Sequence, residues 1–334
     1  MRPAPLPHGG RLNEAVRKFG GTRSSWLDLS TGINPSAYPV PDLPPALWHR
    51  LPEEHHLLAA AEAARGAYEA PDAAISVAPG SQMHIQMLPF LWSPRRVAVI
   101  GPTYAEHAAC WARAGHDVVT VDGLAAAETV GRIVVVVNPN NPDGRTLRRS
   151  QLLDLARRLG ARGGALVVDE AFADVASDAS VAGRAGREGL VVLRSLGKFY
   201  GLAGARVGFA LTTREIAARL DDMLGPWAVP GPSLHVAAAA LDDRTWARRA
   251  RQTLARRSEA LDALLDEFGL ERIGGTDLFT LVSDPRAGRI DLKLRQQHVL
   301  VRSFREARDR LRFGIPGGQR PLARLREALE TVLG

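Results

Sequence analysis

Cysteine and lysine are scarce in this chain of 334 residues. Cys110 is the only cysteine, so no disulfide can form within the chain, and the scattered histidines give no zinc-ligand spacing. Only three of the 43 basic residues are lysines, namely Lys18, Lys198 and Lys293. Arginine therefore supplies almost every positive charge, and a lysine at a special position calls for a chemical explanation.

Long apolar runs are absent as well. No stretch approaches the roughly 18 apolar residues that a membrane-spanning helix requires, and residues 1–10 lack the apolar segment of a secretory signal. Together with the single cysteine, these features predict a protein of the reducing cytoplasm that has no membrane partner.

A concentrated basic region is the third missing feature. The formal net charge is +7, but the arginines are spread along the whole chain and aromatic residues make up only 6%. A nucleic-acid-binding protein usually gathers its cations on one face or in a known module. The charge is better explained by attraction of small anionic substrates, and we expect no nucleic-acid partner.

Hydrophobic patterning predicts an α/β fold with two domains. Between residues 74 and 223, short runs that are apolar at consecutive positions alternate with helical stretches. Such runs are typical of strands in a mostly parallel sheet that is sandwiched by helices. The predicted strands are Ala74–Val77, Val97–Ile100, Val118–Val121, Ile133–Val137, Ala165–Val168, Leu190–Leu193 and Arg206–Ala210.

The pattern changes after Pro232, where a long helical stretch is followed by short strands and helices. This change indicates a smaller α+β domain. The Pro- and Gly-rich start of the chain is interpreted as an extended arm with turns. We therefore expect an N-terminal arm over 1–45 that is part of the small domain, a large domain over 46–232 and a small C-terminal domain over 233–334.

Lys198 lies in the glycine-rich segment Ser195–Phe209 (SLGKFYGLAGARVGF), directly after a predicted strand. An amine can lose its proton and form a Schiff base, whereas a guanidinium group cannot. The scarcity of lysine favours this chemical role for Lys198. The alternative, a surface lysine in a glycine-rich loop, stays open at this point.

Two polar segments follow other predicted strands. Asp169 and Glu170 come at the end of an apolar strand, at the edge where open α/β sheets bind ligands. A carboxylate there can hold a protonated ring nitrogen, or Asp169 can simply cap a helix. The segment Asn138–Gly144 (NPNNPDG) forms either a plain turn or a rigid turn whose Asn amides donate to a phenolate oxygen.

The segment from Ala78 to Gln82 (APGSQ) lies between a strand and a helix. Gly80 followed by Ser81 at a helix start presents free N–H groups to an anion, although an ordinary capped helix has the same pattern. The spacing of a nucleotide-binding P-loop is absent, and no G-x-G-x-x-G follows the first strand. A phosphate group is therefore a better candidate ligand than a nucleotide.

In their order and spacing, these segments resemble the fold-type I pyridoxal-phosphate enzymes of the aspartate aminotransferase superfamily, and the likeness runs through most of the chain. The resemblance implies pyridoxal 5'-phosphate as cofactor, Lys198 as its Schiff-base lysine and Asp169 as the partner of its pyridinium nitrogen. It implies that Asn141 donates to the phenolic oxygen, and that Ala171 and Tyr104 cover opposite faces of the ring. The implied phosphate ligands are Gly80, Ser81, Gln82, Ser195 and Arg206.

The start of the chain points to a narrower branch. His8 precedes two glycines, and Thr31–Pro35 (TGINP) follows a short apolar strand. This opening resembles the L-threonine-O-3-phosphate decarboxylases of cobalamin synthesis, whose nearest relatives are histidinol-phosphate aminotransferases. The resemblance implies a homodimer that decarboxylates L-threonine O-3-phosphate, with the aminotransferase reaction as the alternative. The implied substrate ligands are His8, Asn34, Arg302 and Arg312, and the candidate catalytic residues are Lys198, Asp169 and Tyr104.

Two positions depart from the pattern of these families. Phe172 stands where many relatives have a tyrosine whose hydroxyl also reaches the ring oxygen, so Asn141 would act there with less help. Leu51 precedes Pro52 where many relatives have a tyrosine that reaches the cofactor phosphate of the neighbouring subunit. A binding protein that keeps the fold without turnover is a third hypothesis, which the presence of Lys198 disfavours.

Overall fold

The computed structural model describes residues 9–334, and their contacts divide the chain into two units. The larger unit comprises Ala37–Asn141 and Arg145–Arg248. The smaller unit comprises the described residues up to Ser36, that is 9–36, together with Pro142–Gly144 and Arg249–Gly334. None of the helices found in residues 9–334 combines the length and apolar character that a membrane crossing demands.

The helices and strands are numbered along the chain. The helices are α1 (Leu12–Phe19), α2 (Ala46–His49), α3 (Glu54–Ala67), α4 (Ser81–Met87), α5 (Glu106–Arg113), α6 (Leu124–Val130), α7 (Arg149–Gly160), α8 (Arg214–Leu224), α9 (Gly231–Asp242), α10 (Arg244–Glu267), α11 (Ala287–Gln296) and α12 (Gln319–Leu333). The strands are β1 (Leu27–Asp28), β2 (Ala74–Ala78), β3 (Arg96–Ile100), β4 (Asp117–Val121), β5 (Ile133–Val137), β6 (Ala165–Asp169), β7 (Leu190–Ser195), β8 (Gly208–Thr212), β9 (Glu271–Thr276), β10 (Phe279–Ser283), β11 (Val299–Leu300), β12 (Arg302–Ser303) and β13 (Arg310–Gly314).

The larger unit is built on a seven-stranded sheet in the order β2-β8-β7-β6-β5-β3-β4. All pairs are parallel except those that involve β8, which runs antiparallel to β2 and β7. Strands β5 and β6 are buried along their whole length, as expected when helices cover both faces of a parallel sheet. In this unit α9 packs against α3, so the chain remains in the larger unit beyond Pro232. The domain limits expected at 45/46 and 232/233 stay a prediction.

The last predicted strand of this sheet lies two residues further along the chain than expected. The sequence predicts a strand over Arg206–Ala210, whereas β8 begins at Gly208. Arg206 adopts a left-handed backbone conformation with φ of 53°, and its guanidinium donates to the carbonyl oxygen of Ala203 at 3.2 Å. Arg206 therefore belongs to the loop, because left-handed backbone cannot continue a strand.

One edge of the larger sheet collects the ends of its parallel strands. Strands β2, β3, β5, β6 and β7 all end at this edge, and the antiparallel β8 begins there. This placement is what brings distant polar segments together in open α/β sheets. The segments that meet at this edge begin at Gly80, Tyr104, Asn138, Asp169 and Ser195.

The smaller unit contains an antiparallel sheet in the order β12-β13-β10-β9 and a parallel pair of β1 with β11. Its core is formed by apolar side chains from α10, α11, α12 and these strands. The sequence predicts an extended arm over 1–45, and this is wrong for α1. Leu12, Val16 and Phe19 recur at helical spacing and pack against Trp26 and Leu300, which stabilises a helix there.

Candidate active site

The start of α4 forms a cradle with Arg206. Gly80 has φ of 83°, and a Cβ atom at this position would lie 2.5 Å from Nη2 of Arg206. A side chain at position 80 would therefore be strained at this φ and would displace the guanidinium from the helix start. Gly208 is equally constrained, because a Cβ there would clash with the backbone nitrogen of Ser81. The N–H groups at the helix start and a guanidinium thus lie close together, a donor set that suits a phosphate group.

Asp169 is buried at the end of β6, and both of its carboxylate oxygens are held. Oδ1 accepts a hydrogen bond from the backbone N–H of Ala171 at 3.0 Å, and Oδ2 lies 2.9 Å from Nε2 of His107. His107 is on α5 and is as deeply buried as its partner. The arrangement fixes a carboxylate in a dry environment, where a charge-assisted bond to a cationic N–H is strong.

His107 was not among the residues predicted from the sequence. Its only available signal is its position three residues after Tyr104, which places the two side chains on neighbouring parts of one surface. In the structure the rings of Tyr104 and His107 make an edge contact, with centroids 6.1 Å apart. The predicted Asp169 and Tyr104 are therefore linked through a residue that the motifs do not reveal.

Tyr104 donates its hydroxyl hydrogen to Oε1 of Gln82 at 3.0 Å. The side-chain amide of Gln82 in turn donates to Glu106 at 3.4 Å. Burial, with smaller contributions from Glu106 and Asp169, raises the pKa of Tyr104 well above its usual value. Burial therefore favours the protonated hydroxyl, and its hydrogen bond to Gln82 orients the ring. Its predicted contact with the cofactor ring stays a prediction.

Lys198 lies in the loop that follows β7 and is partly buried. Its Nζ atom lies 5.6 Å from the centroid of the Phe172 ring, and Phe172 itself is buried. The loop is tied to the strand end because Ser195 Oγ accepts the backbone N–H of Gly197 at 3.2 Å. Ser195 also pairs with Gly208 across β7 and β8, which places it beside the cradle.

The turn after β5 is held by the side chains of two of its asparagines. Asn138 Oδ1 accepts the backbone N–H of Leu147 at 2.8 Å. Asn140 Oδ1 accepts from the hydroxyl of Thr103 at 2.6 Å, and its amide donates to a neighbouring carbonyl oxygen at 2.9 Å. Asn138 and Asn140 therefore hold the turn, and the predicted contact of Asn141 with a ring oxygen stays a prediction.

Arg302 and Arg312, in the smaller unit, are register partners on β12 and β13. Arg312 is buried, donates to the carbonyl oxygen of Ser30 at 3.3 Å and lies 4.8 Å from the centroid of the Phe279 ring. Burial and then the charge of Arg302 lower the pKa of Arg312 to about 9. Two adjacent cations with this electrostatic cost are stabilised when an anion binds.

Asn34, another predicted substrate ligand, belongs to the same unit. Asn34 is buried, and its Oδ1 accepts the backbone N–H of Ser36 at 2.9 Å. His8 lies outside the described residues. Close after it in the chain, Gly10 donates its N–H to Ser30 Oγ at 2.8 Å, and the carbonyl of the same serine accepts from Arg312. Ser30 thus connects the segment after His8 to the arginine pair.

Comparison with known proteins places these features in a family context. Residues 38–332 match the family model described as aminotransferase class I and II. A threonine-phosphate decarboxylase from Sinorhizobium sp. is 44% identical over 331 residues, which is 98% of this chain and 99% of that protein. A threonine-phosphate decarboxylase from Pseudomonas aeruginosa is 43% identical over 326 residues, or 97% of each chain.

Solved structures show the same fold. A histidinol-phosphate aminotransferase from Sinorhizobium meliloti, in complex with pyridoxal-5'-phosphate, superposes with a TM-score of 0.80 at 20% identity, covering 99% of this chain and 97% of that one. An L-threonine-O-3-phosphate decarboxylase from Porphyromonas gingivalis gives a TM-score of 0.73 at 20% identity, covering 91% of this chain and 98% of that one. The predicted fold class, a mostly parallel sheet between helices with a smaller α+β part, is confirmed.

Proposed function

Because the chain belongs to the class I and II aminotransferase family, we propose that it is a pyridoxal-phosphate-dependent decarboxylase of L-threonine O-3-phosphate. The product is (R)-1-amino-2-propanol O-2-phosphate, an intermediate for cobalamin synthesis. The observation that carries the proposal is the buried, doubly held carboxylate of Asp169 at the sheet edge that also carries Lys198 and the Gly80–Arg206 cradle. The substrate follows from the names of the two relatives with 43–44% identity.

The residues at this edge fit pyridoxal 5'-phosphate. The backbone N–H groups of Ser81 and Gln82, with Arg206 and Ser195, would take the phosphate in the cradle that Gly80 leaves open. Asp169 would hold the protonated ring nitrogen, and Asn141 would donate to the ring oxygen. Lys198 would anchor the aldehyde carbon, with Ala171 and Tyr104 against the ring faces. When bound, the cofactor supplies an electron sink for the pair left at the substrate Cα.

The arginine pair would take the anionic groups of the substrate. L-Threonine O-3-phosphate carries a carboxylate and a phosphate, and Arg302 and Arg312 present two guanidinium groups suited to both. Asn34 and His8 would complete the set. An anion here offsets the repulsion and desolvation that lower the pKa of Arg312. Because the side-chain phosphate is held, the residues fix which bond at Cα is aligned to break.

One proton has to be delivered in this reaction. The bond between Cα and the carboxylate carbon breaks, CO₂ leaves, and the electron pair that remains at Cα takes up a proton. The Nζ atom of Lys198 is our proposed donor of that proton, since a lysine amine can both hold and release a proton, which a guanidinium group cannot. Tyr104 is less suited to this step, because burial raises the pKa of its hydroxyl and so disfavours the tyrosinate that proton donation would leave.

A direct assay separates this proposal from the aminotransferase alternative. The purified protein is supplied with O-phosphothreonine and pyridoxal phosphate but no keto acid, and CO₂ and amine products are measured. We expect stoichiometric CO₂ release, and poor turnover of unphosphorylated threonine because the phosphate contacts are lost. Turnover that depends on 2-oxoglutarate and yields glutamate would instead establish the histidinol-phosphate type of aminotransferase reaction. Cofactor binding without any turnover would support the binding-protein hypothesis.

Two further proposals concern the assembly and its location. Trp48, Leu51 and Leu58 are 67%, 61% and 59% exposed, and contact with a second subunit would remove these large apolar side chains from water. We place them in the interface of a homodimer, which a sedimentation mass of a single 36.0 kDa chain would contradict. We place the protein in the cytoplasm because its one cysteine, Cys110, is free and buried. Retention of the protein in an extracytoplasmic fraction would contradict that location.

A further inference from the structure

A buried network of ion pairs lies next to the proposed cofactor site and consists of Glu170, Arg194 and Asp174. Arg194 Nη1 donates to Glu170 Oε2 at 2.8 Å, and Nη2 donates to Asp174 Oδ1 at 2.6 Å. The three side chains are at most 5% exposed. Burial of charged groups carries a desolvation cost that their attraction must offset, so a buried pair is weak evidence of a purely stabilising role.

Two members of this network are adjacent in the chain to a residue of the proposed site. Glu170 follows Asp169, and Arg194 precedes Ser195. Asp169 pairs with Leu193 in the parallel ladder of β6 and β7, and the backbone N–H of Glu170 donates to the carbonyl of Leu193 at 2.9 Å. Side chains alternate between the two faces of a strand. Asp169 and Ser195 therefore share one face of the sheet, whereas Glu170 and Arg194 share the other.

The carboxylate of Glu170 is fixed from three directions. Besides Arg194, it accepts the hydroxyl hydrogen of Ser180 at 2.6 Å and the backbone N–H of Val181 at 2.6 Å. Burial raises the pKa of Glu170, and these three donors act against that rise because each favours the charged form. Glu170 cannot rotate without breaking all three hydrogen bonds.

Arg194 is held as firmly as Glu170. Its guanidinium carbon lies 4.1 Å from the centroid of the Tyr68 ring, in cation–π geometry. Burial acts to lower the pKa of Arg194, but Asp174, Tyr68 and Glu170 outweigh it and raise that pKa. The guanidinium is a permanent cation whose two arms reach two carboxylates at once, which a lysine ammonium cannot reproduce.

We propose that the Glu170–Arg194 pair is a positioning device that locks the ends of β6 and β7 in register and so holds Asp169 and Ser195 in place for the cofactor. This inference rests on the proposed function, because it assigns the pair a role toward pyridoxal phosphate. The pair itself touches neither cofactor nor substrate. It acts through the backbone, since a slip of one residue in either strand would turn its side chains to the opposite face.

The test compares Glu170→Gln with Glu128→Gln in the full-length protein. Glu128 is the matched control, because it forms a two-armed pair with Arg158 at 2.7 and 2.9 Å on the surface. We expect Glu170→Gln to speed backbone hydrogen exchange in residues 166–171 and 191–198. We also expect it to raise the dissociation constant of pyridoxal phosphate by about tenfold or more, as small misplacements of a site can. Glu128→Gln should change neither quantity.

The role is overturned if folded Glu170→Gln exchanges and binds the cofactor like the wild type. Should circular dichroism show that Glu170→Gln does not fold, Arg194→Lys takes its place, because it retains the charge without the two-armed reach. Hydrogen exchange of the protein before cofactor is added tests the lock on its own. The wild-type cofactor titration and CO₂ assay test the proposed function separately, so the two failures are distinguishable.

Discussion

The proposed cofactor site at the edge of the larger sheet differs from the pair Arg302 and Arg312 of the smaller sheet in how its charge is stabilised. At the edge, the carboxylate of Asp169 is held by His107 and the N–H of Ala171. In the smaller unit, Arg302 and Arg312 stand side by side on paired strands, and the pKa of Arg312 is lowered to about 9 by burial and by its neighbour. The negative charge of Asp169 is thus stabilised by hydrogen bonds within the protein. At Arg312, burial and the neighbouring positive charge of Arg302 both disfavour the charged form.

This difference corresponds to the residence time of the proposed ligands. A cofactor that stays bound is best served by groups already oriented by the protein, which lowers the cost of ordering them. A substrate enters and leaves in every turnover. An anionic group that binds beside Arg302 and Arg312 reduces the repulsion between these two cations, and this reduction favours its binding. The two regions should therefore respond to mutation separately, one in cofactor retention and the other in substrate affinity.

The largest expected effect is at Lys198. Lys198→Ala removes the amine that anchors the cofactor and returns the proton, so we expect turnover to fall by at least ~10³-fold. The visible absorbance of the lysine–cofactor imine should disappear with it. Both are measured on the purified protein in the CO₂ assay and by spectrophotometry.

Lys18→Ala is the matched control for this substitution, since Lys18 is one of the other two lysines and lies beside Phe19 on α1. It should leave the spectrum and turnover unchanged. Normal turnover by Lys198→Ala would contradict the assignment of the cofactor site to this edge of the larger sheet. The two regions could then no longer be compared as a cofactor site and a substrate site.

The edge of the larger sheet was predictable from sequence because buried parallel strands are apolar at every position. The run Ile133–Val137 predicts a strand with the bounds that the structure shows, and the polar residues after such runs then mark one edge. The family and the fold follow from the order of these segments. His107 was not predicted from the sequence, because its hydrogen bond to Asp169 joins residues 62 positions apart and a local sequence pattern does not indicate such a contact.

Other details depend on tertiary contacts that patterns do not contain. The sequence does not show that Asn138 and Asn140 hold the NPNNPDG turn, because their hydrogen bonds to Leu147 and Thr103 join residues that lie apart in the chain. The start of β8 depends on the left-handed backbone of Arg206. Helix α1 is short and depends on packing against Trp26 and Leu300. The Pro- and Gly-rich composition around it therefore predicts an extended arm where the structure has a helix.

An intermediate effect is expected in the smaller unit. Arg312→Lys keeps a positive charge but loses the planar fork, and a hydrogen bond to a charged group contributes about 1.5–3 kcal/mol. We therefore expect the KM for O-phosphothreonine to rise by roughly 10- to 150-fold. The visible spectrum and the cofactor dissociation constant should match those of the wild type. The control is Arg308→Lys, because Arg308 is exposed in the same unit; a loss of cofactor by Arg312→Lys would contradict the separation of the two regions.

The smallest effect is expected at the cradle. Gly80→Ala places a Cβ 2.5 Å from Arg206 Nη2 and forces a side chain onto a backbone with φ of 83°. Such strain costs about 1–3 kcal/mol, and we expect the lower part of this range because the guanidinium is the end of a flexible side chain and can shift. The cofactor dissociation constant should therefore rise by roughly tenfold, while the KM at saturating cofactor stays the same. Gly204→Ala is the control, since a Cβ there meets nothing within 4 Å. A raised KM with normal cofactor affinity in Gly80→Ala would place the cradle in substrate binding and reverse the roles of the two regions.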